Sequence, residues 1–319
     1  MSCRLGISKQ VEGRYQVSSY GFRSGYVALV GRPNVGKSTL LNQLIDFQLS
    51  IVTDKPQTTR HEVLGVAHGA GYQIGFLDTP GLIRGRSNRL DRNMRAAVYR
   101  SLDRSDIHIL VVEPKMPGAI ERTLIEEICK TDSPALLVIN KVDSVKKGRL
   151  LPVIDQYSRL HDFSELLPIS AMNNDGVSLL VSLIVQHLPE GSKIMEEDEF
   201  TDRSERFLVA EIIRKNIYER YREELPYSAA VSIEEFDDTK LSAGGPVYIS
   251  AVIYVERIGQ KGILVGKKGT SIREVAIEAR VAIEELLGHH IYLDIWVRER
   301  SDWKDDVDFL EETNYPSIG

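Results

Sequence analysis

The segment GRPNVGKS, from Gly31 to Ser38, decides the fold that we predict for this chain. It matches the phosphate-loop pattern G-x-x-x-x-G-K-S/T, follows an apolar run from Tyr26 to Val30, and precedes a stretch with the apolar spacing of a helix. Glycines at such a turn let main-chain N–H groups point at phosphate oxygens, and the helix N-terminus adds the positive end of its dipole. The full pattern favours a nucleotide-binding strand–loop–helix unit over the alternative, a glycine-rich turn with an exposed lysine.

Two side chains of this loop have predicted chemical roles. Lys37 is expected to reach the β and γ phosphates, and the hydroxyl of Ser38 is expected to bind Mg²⁺. The nucleotide contacts predicted in the loop are Gly31, Arg32, Pro33, Asn34, Val35, Gly36, Lys37, Ser38 and Thr39.

Three further segments follow in order, each directly after an apolar run: DTPG from Asp78, NKVD from Asn140 and SA from Ser170. The carboxylate of Asp143, which ends NKVD, can accept hydrogen bonds from N1–H and the N2 amine of guanine. Adenine offers neither donor on that edge, so an unpaired carboxylate would cost about 1–3 kcal/mol. The order of the four segments therefore predicts GTP as the nucleotide, whereas Asp143 taken alone could equally be a helix cap after a strand.

The other residues of these segments are expected to contact GTP or its metal ion. Asp78 can hold Mg²⁺ through water, and the Gly81 N–H can sense the γ-phosphate. Asn140 can bridge the base and the phosphate loop, the Lys141 stem can cover the guanine ring, and the Ala171 N–H can donate to O6. The GTP contacts predicted outside the phosphate loop are Asp78, Thr79, Pro80, Gly81, Asn140, Lys141, Val142, Asp143, Ser170 and Ala171.

Length and composition limit the possible classes of protein. With 319 residues, about two domains are expected, and 42% hydrophobic residues suffice for buried cores. A charged fraction of 27% and the absence of an apolar run of about 18 residues argue against a membrane-spanning chain. The net charge of −6 excludes a generally basic nucleic-acid binder, so any RNA site must be a local patch. Two cysteines, Cys3 and Cys129, indicate reduced thiols and a cytoplasmic location.

Residues 1–24 are interpreted as an N-terminal extension that is disordered. They contain one acidic residue, Glu12, and have neither a clear amphipathic helix nor the apolar core of a signal peptide. A transit peptide is the alternative. The basic residues of this stretch are Arg4, Lys9, Arg14 and Arg23.

Residues 25–190 alternate strand-like and helix-like runs, which predicts an α/β domain with a doubly wound parallel sheet. Two segments with little periodicity, Thr53 to Arg60 and Gly81 to Asn88, are predicted to be mobile loops that γ-phosphate contacts could order. Residues 191–204 are polar and rich in charge, and they are interpreted as a solvated linker.

The pattern changes in residues 205–319, which read as helix, strand, strand, helix, helix, strand. Gly266-Lys267-Lys268-Gly269 lies between the two later helices, as in an α+β KH domain of type II, the bacterial type. Residues 257–273 contain five basic residues and no acidic one, which favours RNA binding over the alternative, an exposed helix–helix turn. The predicted RNA contacts are Gly266, Lys267, Lys268, Gly269, Lys261 and Arg273.

From Gly25 to about Tyr315 the chain resembles the Era family of GTPases. The resemblance rests on GRPNVGKSTLLN, PQTTR, DTPG, NKVD and ISA in the first half, and on TDRSERF, EELPYS and VGKKGTSI in the second. It implies a switch in small ribosomal subunit assembly whose KH domain binds the 3′ region of small-subunit ribosomal RNA on the 30S subunit. It also implies a monomer that associates peripherally with the inner membrane.

The resemblance also implies catalytic roles and metal ligands. Lys37, Thr59 and Gly81 are the implied catalytic residues, with Thr58 as the alternative switch threonine. The implied Mg²⁺ ligands are Ser38, Thr59 and Asp78.

Two other positions carry further expectations. Leu82 stands where Ras-like proteins place a water-orienting glutamine, which implies slow intrinsic hydrolysis. Asn34 stands where some related GTPases bind K⁺, and the alternative is that its side chain bonds its own turn.

Two other functional classes remain as alternatives. One is a GTPase that serves a different RNA process such as tRNA modification, although the catalytic cysteine and extra helical domain of that group are missing from this sequence. The other is an RNA-binding assembly factor with little turnover. Intact Lys37, Ser38 and Asp78 argue against the second alternative, and Leu82 keeps it open.

Overall fold

The apolar runs of the first half are strands of one sheet, buried because helices cover both of its faces. The computed structural model describes residues 21–83, 85, 88–313 and 315. Within them, the first domain has a six-stranded sheet in the order β2-β3-β1-β4-β5-β6, in which only β2 runs antiparallel to its neighbour. Its strands are β1 (Arg23–Val30), β2 (Val63–Gly69), β3 (Tyr72–Asp78), β4 (Ile107–Val112), β5 (Ala135–Ile139) and β6 (Glu165–Pro168).

Alternate residues of β1 point to two separate cores, one on each face of the sheet. Leu29 belongs to the core formed with α1 and α5, whereas Ala28 and Val30 belong to the core formed with α2, α3 and α4. This arrangement confirms the predicted doubly wound fold. The helices of this domain are α1 (Lys37–Ile45), α2 (Arg89–Asp103), α3 (Ala119–Ile128), α4 (Leu150–Ser158) and α5 (Val177–His187).

The first domain starts earlier than residue 25. Arg23 and Ser24 already pair with Tyr72 and Gln73 in the sheet, because β1 begins level with the start of β3. The predicted boundary at residue 24 is therefore wrong by at least two residues. The remainder of the predicted extension, residues 1–20, lies outside the described residues.

The second half folds as predicted for a KH domain, with a three-stranded sheet in the order β7-β8-β9. Helices α6 and α9 pack on one face of this sheet over Ile249, Ala251 and Ile253. Its elements are α6 (Glu205–Arg220), α7 (Leu225–Ser228), β7 (Ala230–Asp237), β8 (Val247–Val255), α8 (Ile258–Val265), α9 (Thr270–Leu287), β9 (Ile291–Glu299) and α10 (Val307–Glu312).

One predicted strand of this domain begins too early. The sequence pattern predicts extended backbone over residues 227–236, but Leu225–Ser228 form a helical turn and β7 begins at Ala230. Pro226 lies in the first turn of this short helix, where its fixed φ suits the helix and its missing N–H costs nothing.

The segment between the domains exposes most of its charged residues to solvent, as its composition predicts, but it is also hydrogen-bonded to the first domain. The carbonyl of Phe200 accepts from the Val66 N–H on β2 (2.8 Å), and the Gln73 side chain on β3 bonds main-chain atoms of Ile194 and Met195. The linker therefore lies along the β2–β3 side of the sheet, where it satisfies the polar groups of the strands.

A hydrophobic cluster joins the two domains. Leu90 and Met94 on α2 pack with Trp303, Phe309 and other buried residues of the second domain. The Leu90 N–H also donates to the carbonyl of Lys304 (3.0 Å). Because α2 follows the second predicted switch loop, the interface lies directly after that loop in the chain. Among the described residues, no helix is both long and apolar enough to cross a bilayer.

Candidate functional site

The phosphate loop closes tightly because Gly36 has the left-handed backbone that only glycine adopts without strain. Its φ is 100°, and a Cβ at this position would lie 2.2 Å from Asn140 Nδ2. Helix α1 starts at the next residue, and the Gly36 carbonyl accepts its first bond from Leu40 (2.9 Å). The loop therefore ends in a helix N-terminus, as phosphate binding requires.

Lys37 is buried inside this loop and is only 6% exposed. Its Nζ donates to the carbonyls of Arg32 (3.0 Å) and Gly31 (3.4 Å). Burial lowers the pKa of Lys37 to about 8, although the negative charge of Asp78 opposes this shift. A charged amine is therefore costly here unless an anion lies beside it, and a phosphate group would be such an anion.

Three oxygen-bearing side chains meet at the start of α1. The Ser38 hydroxyl donates to Asp78 Oδ2 (2.7 Å) and lies 2.8 Å from Thr59 Oγ1. Asp78 Oδ1 is buried and has no hydrogen-bond partner among the described residues. Burial raises the pKa of Asp78, opposed by the charge of Lys37 and the bond from Ser38. Two hydroxyls beside an unsatisfied carboxylate oxygen match the oxygen ligands that Mg²⁺ prefers.

Of the two candidate switch threonines, the structure brings Thr59 to this cluster. The Thr58 hydroxyl instead donates to the Lys55 carbonyl (2.7 Å) and lies 2.8 Å from Thr53 Oγ1. The geometry therefore favours Thr59 over Thr58 as the metal ligand.

The base-recognition segment is tied to the phosphate loop by Asn140. Its Nδ2 donates to the Val35 carbonyl (2.9 Å), and its Oδ1 accepts from the Ala171 N–H (2.9 Å). Lys141 has a left-handed backbone and bonds Glu113 (2.9 Å), while Asp143 is exposed. NKVD and SA are thus held together at one end of the loop.

Ten of the predicted GTP contacts line one cavity of about 550 Å³: Pro33, Asn34, Gly36, Lys37, Ser38, Thr39, Gly81, Asn140, Lys141 and Asp143. The others do not line it: Gly31, Arg32, Val35, Asp78, Thr79, Pro80, Val142, Ser170 and Ala171. Residues 51–54 and 57–59, from the first predicted switch loop and the segment before it, and Met172 also line this cavity. Sequence reasoning did not identify Met172, which follows the predicted SA pair and is 82% exposed.

Asn34 does not bond its own turn, so that alternative is wrong. Its Nδ2 donates to the carbonyl of Asp54 (2.7 Å), in the first predicted switch loop. The Asn34 amide therefore links the phosphate loop to the first predicted switch loop.

Gly81 and Leu82 lie against the phosphate loop. A Cβ at Gly81 would be 2.5 Å from the Pro33 nitrogen, so only glycine fits there. Leu82 is 3% exposed and its N–H donates to the Gly31 carbonyl (3.1 Å). A buried aliphatic side chain cannot orient water, so Leu82 takes no chemical part in hydrolysis. Residues 84, 86 and 87 of the predicted second switch loop lie outside the described residues.

The segment from Thr53 to Arg60 is predicted from its sequence to be a mobile loop, but in the structure it is docked on the second domain. Arg60 is buried, and its guanidinium donates to the Ala229, Pro226 and Tyr227 carbonyls. Sequence reasoning assigned no contact to this residue. The motif PQTTR contains a single arginine at its end, and nothing in the motif indicates a partner so distant along the chain.

The predicted RNA loop has a backbone that depends on its glycines. Gly266 has φ 71° and ψ 179°, and a Cβ there would lie 2.6 Å from the Ser271 Cβ. Lys267 and Lys268 are exposed at the tip, Arg273 is exposed on the first turn of α9, and Lys261 is half-buried on α8. Sequence reasoning missed the exposed apolar residues of these two helices, which are Ile258, Ile263, Ile277 and Val281.

Replacement of Asp143 by asparagine should change the base preference. The change turns one acceptor into a donor, which suits the 2-oxo group of xanthine, so GTP affinity should fall and XTP affinity should rise, each by roughly 10- to 100-fold. A competition binding assay with GTP and XTP measures the two affinities. Asp155→Asn, an exposed carboxylate on α4, is the matched control. An unchanged GTP preference would show that the base pocket lies elsewhere.

Two family models match the chain. The model described as "50S ribosome-binding GTPase" matches residues 26–141, and the "KH domain" model matches residues 224–304. The GTPase Era of Geobacter metallireducens is 42% identical over 300 residues, which cover 94% of this chain and 100% of that protein. The GTPase Era of Syntrophus aciditrophicus is 42% identical over 295 residues, covering 92% of this chain and 95% of that protein.

Two solved structures have the same two-domain fold. One is Era in complex with MgGDPNP and nucleotides 1506–1542 of 16S ribosomal RNA, and the other is an Aquifex aeolicus Era variant bound to GDP.AlF4⁻. Each is 35% identical to this chain, with a TM-score of 0.89, and each comparison covers 93% of this chain and 100% of the other.

Proposed function

Since the chain belongs to the Era family of GTPases, we propose that it is a GTP-hydrolysing switch that binds small-subunit (16S) ribosomal RNA and acts in small-subunit assembly. The GTP-binding part of this proposal rests on one observation. The phosphate loop, the Ser38–Asp78–Thr59 oxygen cluster and Asp143 converge at a single cavity of about 550 Å³.

The reaction is attack of water on the γ-phosphate. Lys37 and the main-chain N–H groups of the phosphate loop stabilise the negative charge that develops on the phosphate oxygens. Mg²⁺, held by Ser38, Thr59 and, through water, Asp78, would add positive charge at the same oxygens when bound. The Gly81 N–H senses the γ-phosphate. Because Leu82 replaces a water-orienting side chain, intrinsic hydrolysis is slow.

Potassium should accelerate hydrolysis if Asn34 holds a cation beside the phosphates. The position of its amide between the phosphate loop and Asp54 motivates this proposal. Hydrolysis should be roughly tenfold faster in K⁺ than in Na⁺ at equal ionic strength, and Asn34→Ala should erase the difference. Equal initial rates of phosphate release in the two salts would exclude the cation.

The RNA-binding part of the proposal rests on the KH loop, Gly266 to Gly269. Its glycines permit close approach of the backbone to RNA, and two exposed lysines, Lys267 and Lys268, supply charge without reading bases. The solved complex of a relative with nucleotides 1506–1542 of 16S ribosomal RNA supports the same RNA for this chain.

Crosslinking in cells, followed by sequencing of the bound RNA, tests the choice of RNA. The 3′ region of small-subunit ribosomal RNA should dominate the crosslinked reads. Reads dominated by tRNA would favour the alternative class, a GTPase of tRNA modification. The purified protein should also release phosphate from GTP, and RNA binding without measurable turnover would favour an assembly factor that uses GTP only as a ligand.

Two further expectations rest on family membership. The protein is expected to be a cytoplasmic monomer that associates peripherally with the inner membrane. Sedimentation equilibrium tests the first expectation, and flotation with vesicles of inner-membrane lipid tests the second.

A further inference from the structure

Arg60 joins the two domains at the residue next to the predicted metal ligand Thr59. It is 2% exposed, and both of its terminal nitrogens donate to the second domain. Nη1 donates to the Ala229 carbonyl (2.8 Å) and Tyr315 hydroxyl (3.2 Å). Nη2 donates to the Tyr218 hydroxyl (3.0 Å) and to the carbonyls of Pro226 (3.1 Å) and Tyr227 (3.0 Å).

The pocket for this guanidinium contains neutral acceptors. Among the described residues, no carboxylate hydrogen-bonds Arg60, and its charge instead lies 5.8 Å from the ring centre of Tyr218 and 5.7 Å from that of Trp303. All of these acceptors belong to the second domain, so the hydrogen bonds break when that domain moves away, and water must then replace them. The position of the Arg60 side chain therefore depends strongly on how the two domains are docked.

Two other contacts hold the same loop. Lys55 Nζ donates to the main-chain carbonyls of Tyr218 and Tyr221, and the Tyr218 hydroxyl donates to the Gln57 carbonyl (3.0 Å). The loop is thus attached to the second domain at three points, Lys55, Gln57 and Arg60. At its end, Thr59 Oγ1 lies 2.8 Å from Ser38 Oγ.

We propose that Arg60 is a positioning residue for GTP hydrolysis, through which the second domain holds Thr59 in the Mg²⁺ and γ-phosphate site before any RNA binds. Consecutive Cα atoms are only about 3.8 Å apart, so anchoring Arg60 restricts where the Thr59 hydroxyl can lie. The inference rests on the proposed role of Thr59 and deepens it. GDP lacks the γ-phosphate, so its binding does not depend on this arrangement.

Two gentle substitutions test the pocket without removing the buried charge. Tyr315→Phe deletes one acceptor of Arg60 and isolates the effect of this residue. Tyr218→Phe deletes a second acceptor together with the bond to the Gln57 carbonyl, so the double variant loosens the loop at two anchors, Arg60 and Gln57. Tyr221→Phe is the matched control, because its hydroxyl bonds Leu264 and Ser271 inside the second domain and does not touch the switch loop. Arg60→Lys is a stronger variant, since a single ammonium cannot satisfy acceptors that are arranged around a planar guanidinium.

Binding is measured with a non-hydrolysable GTP analogue and with GDP, at several Mg²⁺ concentrations and without RNA. In the double variant, analogue affinity should fall about tenfold and the Mg²⁺ midpoint should rise, while GDP affinity stays within about twofold. Hydrogen exchange of residues 53–60 should speed up, and kcat should fall more than KM rises. Tyr221→Phe should match the wild type in each measurement.

The outcomes separate this inference from the proposed function. Equal losses for GDP and the analogue, or the same changes in Tyr221→Phe, would show that Arg60 merely stabilises the fold. Unchanged analogue affinity, exchange and kcat in both the double variant and Arg60→Lys would overturn the positioning role while leaving GTPase function intact. A wild-type protein without GTP hydrolysis would instead overturn the proposed function.

Discussion

Replacing Lys37 with alanine should abolish GTP binding and hydrolysis at ordinary nucleotide concentrations. The variant removes the charge nearest the β and γ phosphates from a site where the amine is 6% exposed. Losing a charge-assisted hydrogen bond in such a site costs about 3 kcal/mol, or roughly a 100-fold weaker affinity for GTP. Hydrolysis should fall further, because the same amine stabilises the transition state.

The fold should survive this change. Burial already disfavours the charged form of Lys37 in the protein without nucleotide, so alanine relieves one cost of folding. Lys130→Ala, an exposed lysine paired with Glu127 in the same domain, is the control. Isothermal titration with GTP, a phosphate-release assay and a melting curve compare Lys37→Ala with Lys130→Ala and the wild type. Wild-type turnover in folded Lys37→Ala protein would refute the phosphate-loop assignment.

Replacing both Lys267 and Lys268 with aspartate should abolish RNA binding at physiological salt. Each substitution removes a cation that faces a phosphate and adds repulsion against the RNA backbone. The slope of log affinity against log salt should flatten by about 0.7 for each phosphate that is no longer neutralised. Aspartate tolerates the left-handed backbone of residue 268, where φ is 53°, so the loop should keep its shape.

The matched control is the replacement of Lys146 and Lys147, an exposed pair in the first domain, by aspartate. Both double variants change the net charge from −6 to −10, because each lysine-to-aspartate substitution lowers the charge by two. Filter binding to the 3′-terminal segment of small-subunit RNA compares them, alongside a GTPase assay without RNA. Equal RNA affinity in the two variants would mean that the KH loop makes no particular contribution.

Most of the fold could be predicted from the sequence because phosphate binding requires particular residue types at particular spacings along the chain. Gly31, Gly36 and Lys37 must follow a buried strand and precede a helix, and that unit needs a parallel sheet around it. The order of elements around Gly266 to Gly269 identified the KH domain in the same way. Family membership and the two-domain α/β and α+β architecture are confirmed. The individual site residues remain predictions about function. Ten of the nineteen predicted GTP contacts line one cavity, and Asp78 and Ala171 are hydrogen-bonded to residues of its lining.

The docking of the first switch loop could not be predicted, because its partners are remote in sequence. Arg60 bonds Tyr218, Ala229 and Tyr315, which follow it by 158, 169 and 255 residues. No local pattern encodes such pairings. The contacts of the linker could not be predicted for a related reason: its charged composition is typical of solvated segments and does not indicate that its main chain completes the hydrogen bonds of Val66 and Gln73.

The long separation between Arg60 and its partners has a consequence for how the protein is made. Ribosomes release the first domain well before the second, and the 255 residues between Arg60 and Tyr315 take roughly 10 to 50 seconds to synthesise. The guanidinium has none of its acceptors until residues 218 to 229 are made, and Tyr315 is the last of them. Leu90 and Met94 on α2 lack most of their apolar partners until Trp303, Phe309 and Leu310 are made. The nascent first domain therefore carries an apolar surface at Leu90 and Met94 that is covered mainly by the last-made residues of the interface, which are Trp303, Phe309, Leu310 and Tyr315.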